Sequence, residues 1–104
     1  MDKVLLYRRK DEEISVYIYG YLKEGQLEVM VAFIEKKWKD EIHEYYYLLT
    51  LEETEELHKM LMEELHSDAP LLDLVQELFK GPDCEKKFIE YLVQHNIHYT
   101  YFAC

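Results

Sequence analysis

Cysteine, proline, glycine and tryptophan are scarce in this chain of 104 residues: two, two, three and one respectively. Two cysteines, Cys84 and Cys104, cannot build a disulfide framework, and they lack the paired spacing of a zinc site; both are expected as reduced thiols. So few glycines and prolines leave no composition for a linker, and there is no repeat or low-complexity tract. A single domain over residues 1–104 is expected. No run of about 18 apolar residues offers a membrane span. The stretch Met1-Asp2-Lys3-Val4-Leu5-Leu6-Tyr7-Arg8 is too short in its apolar part, and charged too soon, for a signal peptide, so a cytoplasmic location is expected.

Positive charge is the other shortage, with 12 Lys and Arg against 22 Asp and Glu and a formal net charge of −10. Nearly all of that excess lies between residues 40 and 68. Asp40, Glu41, Glu44, Glu52, Glu53, Glu55, Glu56, Glu63, Glu64 and Asp68 face a single Lys59 there. A strongly negative block steers a basic partner and repels polyanions. With 49% hydrophobic and 14% aromatic residues, including ten tyrosines, the chain has enough apolar content to fold around a core.

The pattern along the chain predicts four strands, three helices and one final strand. A short apolar run from Lys3 to Arg9 suggests a first strand, with the charged stretch Arg8 to Glu13 as the turn after it. Ile14 to Leu22 alternates: Ile14, Val16, Ile18 and Leu22 share one face, and Ser15, Tyr17, Tyr19 and Tyr21 the other. The turn Lys23-Glu24-Gly25-Gln26 leads into Leu27 to Ile34, where Leu27, Val29, Val31 and Phe33 again share a face. Glu35 to Asp40, containing Trp38, reads as a polar connection to a tyrosine-rich strand from Glu41 to Leu49.

Helical period then takes over. Thr50 and Glu53 have the spacing of a capping box, and Leu57, Met60, Leu61 and Leu65 form a buried stripe. A second helix is expected after Ser67-Asp68-Ala69-Pro70, with Asp68 as its cap and Pro70 in its first turn. Gly81-Pro82 ends it. A third helix from about Asp83 to His95 buries Phe88, Tyr91 and Leu92, and Ile97 to Phe102 has the composition of a last strand. This order implies an α+β fold: a curved antiparallel sheet with helices packed on one face. Tyr17, Tyr19 and Tyr21 then point away from the helices, either as a docking surface or as cross-strand pairs that cover the sheet themselves.

Signs of catalysis are few. There is no glycine-rich phosphate loop, no Gly-x-Ser-x-Gly elbow and no His-Glu-x-x-His pair, and no enzymatic activity or cofactor is expected. His95 and His98 are separated by what reads as a helix end, so no metal site is assigned to them. Glu52, Glu53, Glu55 and Glu56 open a helix, where its dipole favours negative side chains. That accounts for part of the acidic block, while Asp40, Glu41, Glu44, Glu63, Glu64 and Asp68 extend it beyond the helix start.

Four strands followed by a helix resembles the Whirly fold of single-strand-binding proteins, but the basic groupings Arg8-Arg9-Lys10 and Lys36-Lys37-Trp38-Lys39 fall in expected turns, and such sites need lysine and arginine along the strand. Nucleic acid is therefore not the expected partner, and a Whirly-like nucleic-acid module or an acidic adaptor stands as the alternative.

The run Glu44-Tyr45-Tyr46-Tyr47-Leu48-Leu49-Thr50-Leu51-Glu52-Glu53-Thr54-Glu55-Glu56-Leu57, with Phe88-Ile89-Glu90-Tyr91 and Asn96-Ile97-His98-Tyr99-Thr100-Tyr101-Phe102, is similar to the immunity proteins of bacterial contact-dependent growth inhibition systems. The resemblance implies a cytoplasmic protein that binds a cognate toxin domain, commonly a nuclease acting on transfer RNA, and blocks it. Physical reasoning agrees, since an RNA-cleaving domain is basic and an acidic partner imitates its polyanion. The expected contact residues are acidic, Glu52, Glu55, Glu56 and Glu63 on the helix with Asp40, Glu41 and Glu44 from the adjoining strand, and aromatic: Tyr17, Tyr19, Tyr45, Tyr47 and Trp38.

Overall fold

The computed structural model describes residues 2–36 and 41–103. Trp38 and Asp40, both expected at the contact surface, lie outside the described residues, as does Cys104. The fold is α+β, with strands β1 (Asp2–Lys10), β2 (Ile14–Lys23), β3 (Gln26–Glu35) and β4 (Glu41–Leu48), then helices α1 (Leu51–Leu65), α2 (Leu71–Phe79) and α3 (Cys84–Gln94), and a short β5 (Thr100–Ala103). The five strands form one open antiparallel sheet in sequence order, so each hairpin or return connection places a strand beside its predecessor.

Local chemistry fixes the hairpins. Glu24 and Gly25 both take positive φ, 52° and 81°, between the paired Lys23 and Gln26, the backbone that a two-residue turn between twisted strands requires. At the β1–β2 turn the Asp11 carboxylate accepts hydrogen bonds from the N–H groups of Ile14 (2.8 Å) and Glu13 (3.0 Å), which hold its pKa below the usual aspartate value. The turn is thus shorter than the charge run suggests, and Arg8 to Lys10 continue β1 in register with Tyr17 to Ser15. Paired on one side only, this edge segment tolerates charged side chains that a central strand would have to bury.

Register sets the two faces. Ile18, Val29, Val31 and Tyr47 point toward the helices and are at most 6% exposed. A bulge between Leu5 and Tyr7 lets Leu6 join this core, at 3% exposure, and turns two carbonyls outward. Gln76 donates to the Leu5 oxygen at 2.9 Å and the Gly81 N–H to the Leu6 oxygen at 3.0 Å, so α2 and its exit loop cover part of the β1 edge. Inside, Phe79 meets Phe88 and Tyr91 edge-on, and Leu57, Leu61, Leu74 and Leu92 are fully buried. Each such leucine contributes about 1.5–3 kcal/mol relative to an exposed one.

Two element ends differ from the sequence expectation. Asp68 does not cap α2; Pro70 occupies the cap position outside the helix, and its carbonyl accepts from Asp73 and Leu74 (3.1 and 3.2 Å) without a side-chain cap. The final strand begins at Thr100, not Ile97. Ile97 is instead drawn into the core at 3% exposure, its N–H bonded to Leu92 oxygen at 2.8 Å, with Asn96 in the left-handed region that ends α3.

Candidate protein-binding surface

Helix α1 begins where Thr50 leaves β4, and the expected capping box is present. Glu53 N–H donates to Thr50 Oγ1 (3.1 Å) and Thr50 N–H to Glu53 Oε1 (2.9 Å). One turn on, the buried Thr54 hydroxyl donates to the Thr50 carbonyl at 2.7 Å and accepts the Leu27 N–H at 2.9 Å, tying the helix to the start of β3. With Leu57 and Leu61 locked into the core, helical geometry leaves the opposite side to water. Glu52, Glu55, Glu56 and Glu63 are all exposed there, at spacings of three, four and seven residues, with Lys59 among them.

Among the described residues no lysine or arginine forms an ion pair with this stripe; the ion pairs are Arg9 with Asp11 (2.8 Å) and the His43–Glu41 approach (3.7 Å). Lys59 offsets one of these charges, and four carboxylates against it leave a net negative field on the helix side of the molecule. On α3 the Tyr91 phenol is pushed up first by burial and then by the charges of Glu64 and Glu63.

The strand acids stand elsewhere. Glu44 lies on the sheet face turned away from the helices, in register with Ala32, and accepts a hydrogen bond from the Tyr46 hydroxyl at 2.7 Å. Glu41 is at the far end of β4, opposite Glu35, seven residues or about 23 Å from Leu48 at the usual rise of a strand. The structure thus unites Glu52, Glu55, Glu56 and Glu63 and separates Glu41 and Glu44 from them. Beside Glu41, the His43 ring stacks on Phe33 with centroids 4.7 Å apart.

The aromatic candidates divide in the same way. Tyr17 and Tyr19 stand on the open sheet face, with the Arg8 guanidinium 5.9 Å from the Tyr17 ring centre and the Lys3 ammonium 5.3 Å from that of Tyr19. Tyr45 and Tyr47 point the other way, and both hydroxyls donate to the Glu85 carboxylate in the first turn of α3, Tyr45 at 3.2 Å. Burial, then the Glu85 charge, pushes the Tyr45 phenol up to about 12; Tyr47 is raised further, by burial and by its hydrogen bond to Glu85. At 6% exposure Tyr47 is part of the core, not of a contact surface.

Sequence reasoning overlooked Tyr46 and Phe102, whose rings stack at 4.9 Å on the open face. The signal was available in the alternation of Tyr45, Tyr46 and Tyr47, since only the middle residue can share a face with a neighbour that the other two oppose. Nothing in the sequence marks Glu85 as the residue that fastens β4 to α3. No helix among the described residues is long and apolar enough to cross a membrane. Comparison with protein-family models, with curated proteins and with solved structures returns no match.

Proposed function

We propose that this protein binds and neutralises a basic protein partner, a cognate toxin domain of the kind its sequence resemblance implies, through the outer face of α1. The observation that carries the reading is the stripe Glu52, Glu55, Glu56 and Glu63, exposed on a helix that the Thr50 and Thr54 bonds hold rigidly and not paired with any described lysine or arginine. Fixed carboxylates at helical spacing mimic a phosphate backbone. A nuclease active surface, positive because it must hold RNA, is therefore the class of surface they fit.

Such a stripe acts first on the rate of encounter. Complementary fields raise association well above the roughly 10⁵–10⁶ M⁻¹s⁻¹ of neutral partners, and salt suppresses the gain. The protein acts as an inhibitor in the cytoplasm, covering the substrate surface of the toxin and performing no chemistry of its own.

The test uses the product of an adjacent reading frame that encodes a basic toxin domain. Association is followed by stopped-flow fluorescence across a salt series, and RNA cleavage is assayed alongside. The triple variant Glu52→Lys, Glu55→Lys, Glu56→Lys is expected to slow association by at least tenfold at low salt and to flatten its salt dependence, with an unchanged circular dichroism spectrum. An unaltered rate would remove α1 from the interface. Failure of the wild-type protein to protect RNA from any such domain would remove the inhibitory role.

A further inference from the structure

The sheet face turned away from the helices has an order of its own, independent of the α1 stripe. Pairing across the strands sets its side chains in rows, and one row, Leu5, Tyr19, Met30, Tyr46 and Phe102, is apolar or aromatic from edge to edge. Leu5, Phe102 and Ile42 on this face are 39%, 40% and 61% exposed, half of the large apolar side chains that the described residues leave in water. Charge is segregated on either side of the centre. Lys3, Arg8 and Lys10 stand on β1, whereas Glu28 and Glu44 stand on β3 and β4.

We infer that this face docks against the same face of a second copy of the chain, about a two-fold axis running along the strands between β2 and β3. Such an axis reverses the order of the strands while keeping each position along them. β1 of one copy then lies over β4 of the other. Arg8, Tyr17, Ala32 and Glu44 share one row, so Arg8 meets Glu44 of the second copy, and the contact occurs twice. In the same row Tyr17 covers the second copy's Ala32, a large side chain over a small one, and in the apolar row Tyr19 covers Met30.

The alternatives fit less well. A nucleic acid would gain from Lys3, Arg8 and the aromatic rings but would meet Glu28 and Glu44 on the same surface. A basic protein would be repelled by β1. A surface that is basic at one side, acidic at the other and apolar between is complementary to itself. The four strands of each copy that overlap in this arrangement, about 4.8 Å apart and some seven residues deep, give a footprint of roughly 450 Å² per copy, below the roughly 800 Å² per partner of a standard stable interface and in the range of a weak, concentration-dependent dimer.

Sedimentation equilibrium of the full chain from about 1 to 200 µM tests this. A mass near twice 12.7 kDa is expected for the wild type. Arg8→Glu should weaken the dimer at least tenfold, Glu44→Arg should do the same, and the double exchange should restore it, a rescue that no fold defect would produce. Met30→Lys should give a monomer with an unchanged circular dichroism spectrum. A monomer at every wild-type concentration would overturn the inference, as would a dimer indifferent to the charge exchange. Salt-sensitive retention of a fluorescent single-stranded oligonucleotide by a monomeric protein, lost on Arg8→Glu, would assign the face to nucleic acid instead.

Discussion

Thr54 shows how a single hydroxyl can place a whole surface. Its Oγ1 accepts the Leu27 N–H at 2.9 Å, and both residues are buried, with Leu27 fully so. Thr54→Val keeps the shape and removes the acceptor, leaving a buried backbone donor without a partner, at a cost of about 1–3 kcal/mol. Urea unfolding should show that loss, and Thr54→Ser should recover most of it. The helix start was legible because Thr50 and Glu53 satisfy each other at a fixed spacing that the sequence displays. Thr54 was not, since its partner is 27 residues away in sequence and no local pattern joins a helix threonine to the first N–H of a distant strand.

At the level of elements, β4 and α3 are fastened through Glu85, which accepts from Tyr45 and Tyr47 together. Both phenols must remain protonated to donate. Tyr45 ionises near 10.0 when unfolded and near 12 when folded, so the folded state holds its proton more tightly. The associated stability is fully present below about pH 10 and is lost as pH rises through 12. Glu85→Gln removes the charge that helps to raise the phenol, and tyrosinate absorbance should then appear at lower pH, with a smaller dependence of stability on alkali.

Periodicity made β2 readable, because Val16 and Ile18 alternate with Tyr17 and Tyr19. It failed at Arg8 to Lys10, where an edge strand keeps its charge in water, and at Ile97, where packing against α3 overrides a β-branched side chain's preference for a strand. The acidic block divided for a related reason. Residues close in sequence are not close in space once a strand of eight residues carries one end away from the other.

For the whole molecule, the sheet acts as a partition. The α1 stripe and the self-complementary face lie on its opposite sides, so docking of two copies through the open faces leaves both stripes directed outward. A basic toxin domain should therefore be bound at two equivalent sites, giving a complex of two copies with two toxins. Measured by light scattering, Arg8→Glu should halve this assembly to one copy with one toxin while leaving the association rate per site unchanged. The Glu52, Glu55 and Glu56 reversal should do the converse, preserving the dimer and slowing capture of the toxin. If Arg8→Glu slowed capture as much as it weakened the dimer, the two surfaces would not be independent, because the sheet would then be transmitting a change from one face to the other. Equal rates with halved mass would instead establish the sheet as a rigid divider, each copy carrying its own inhibitory face.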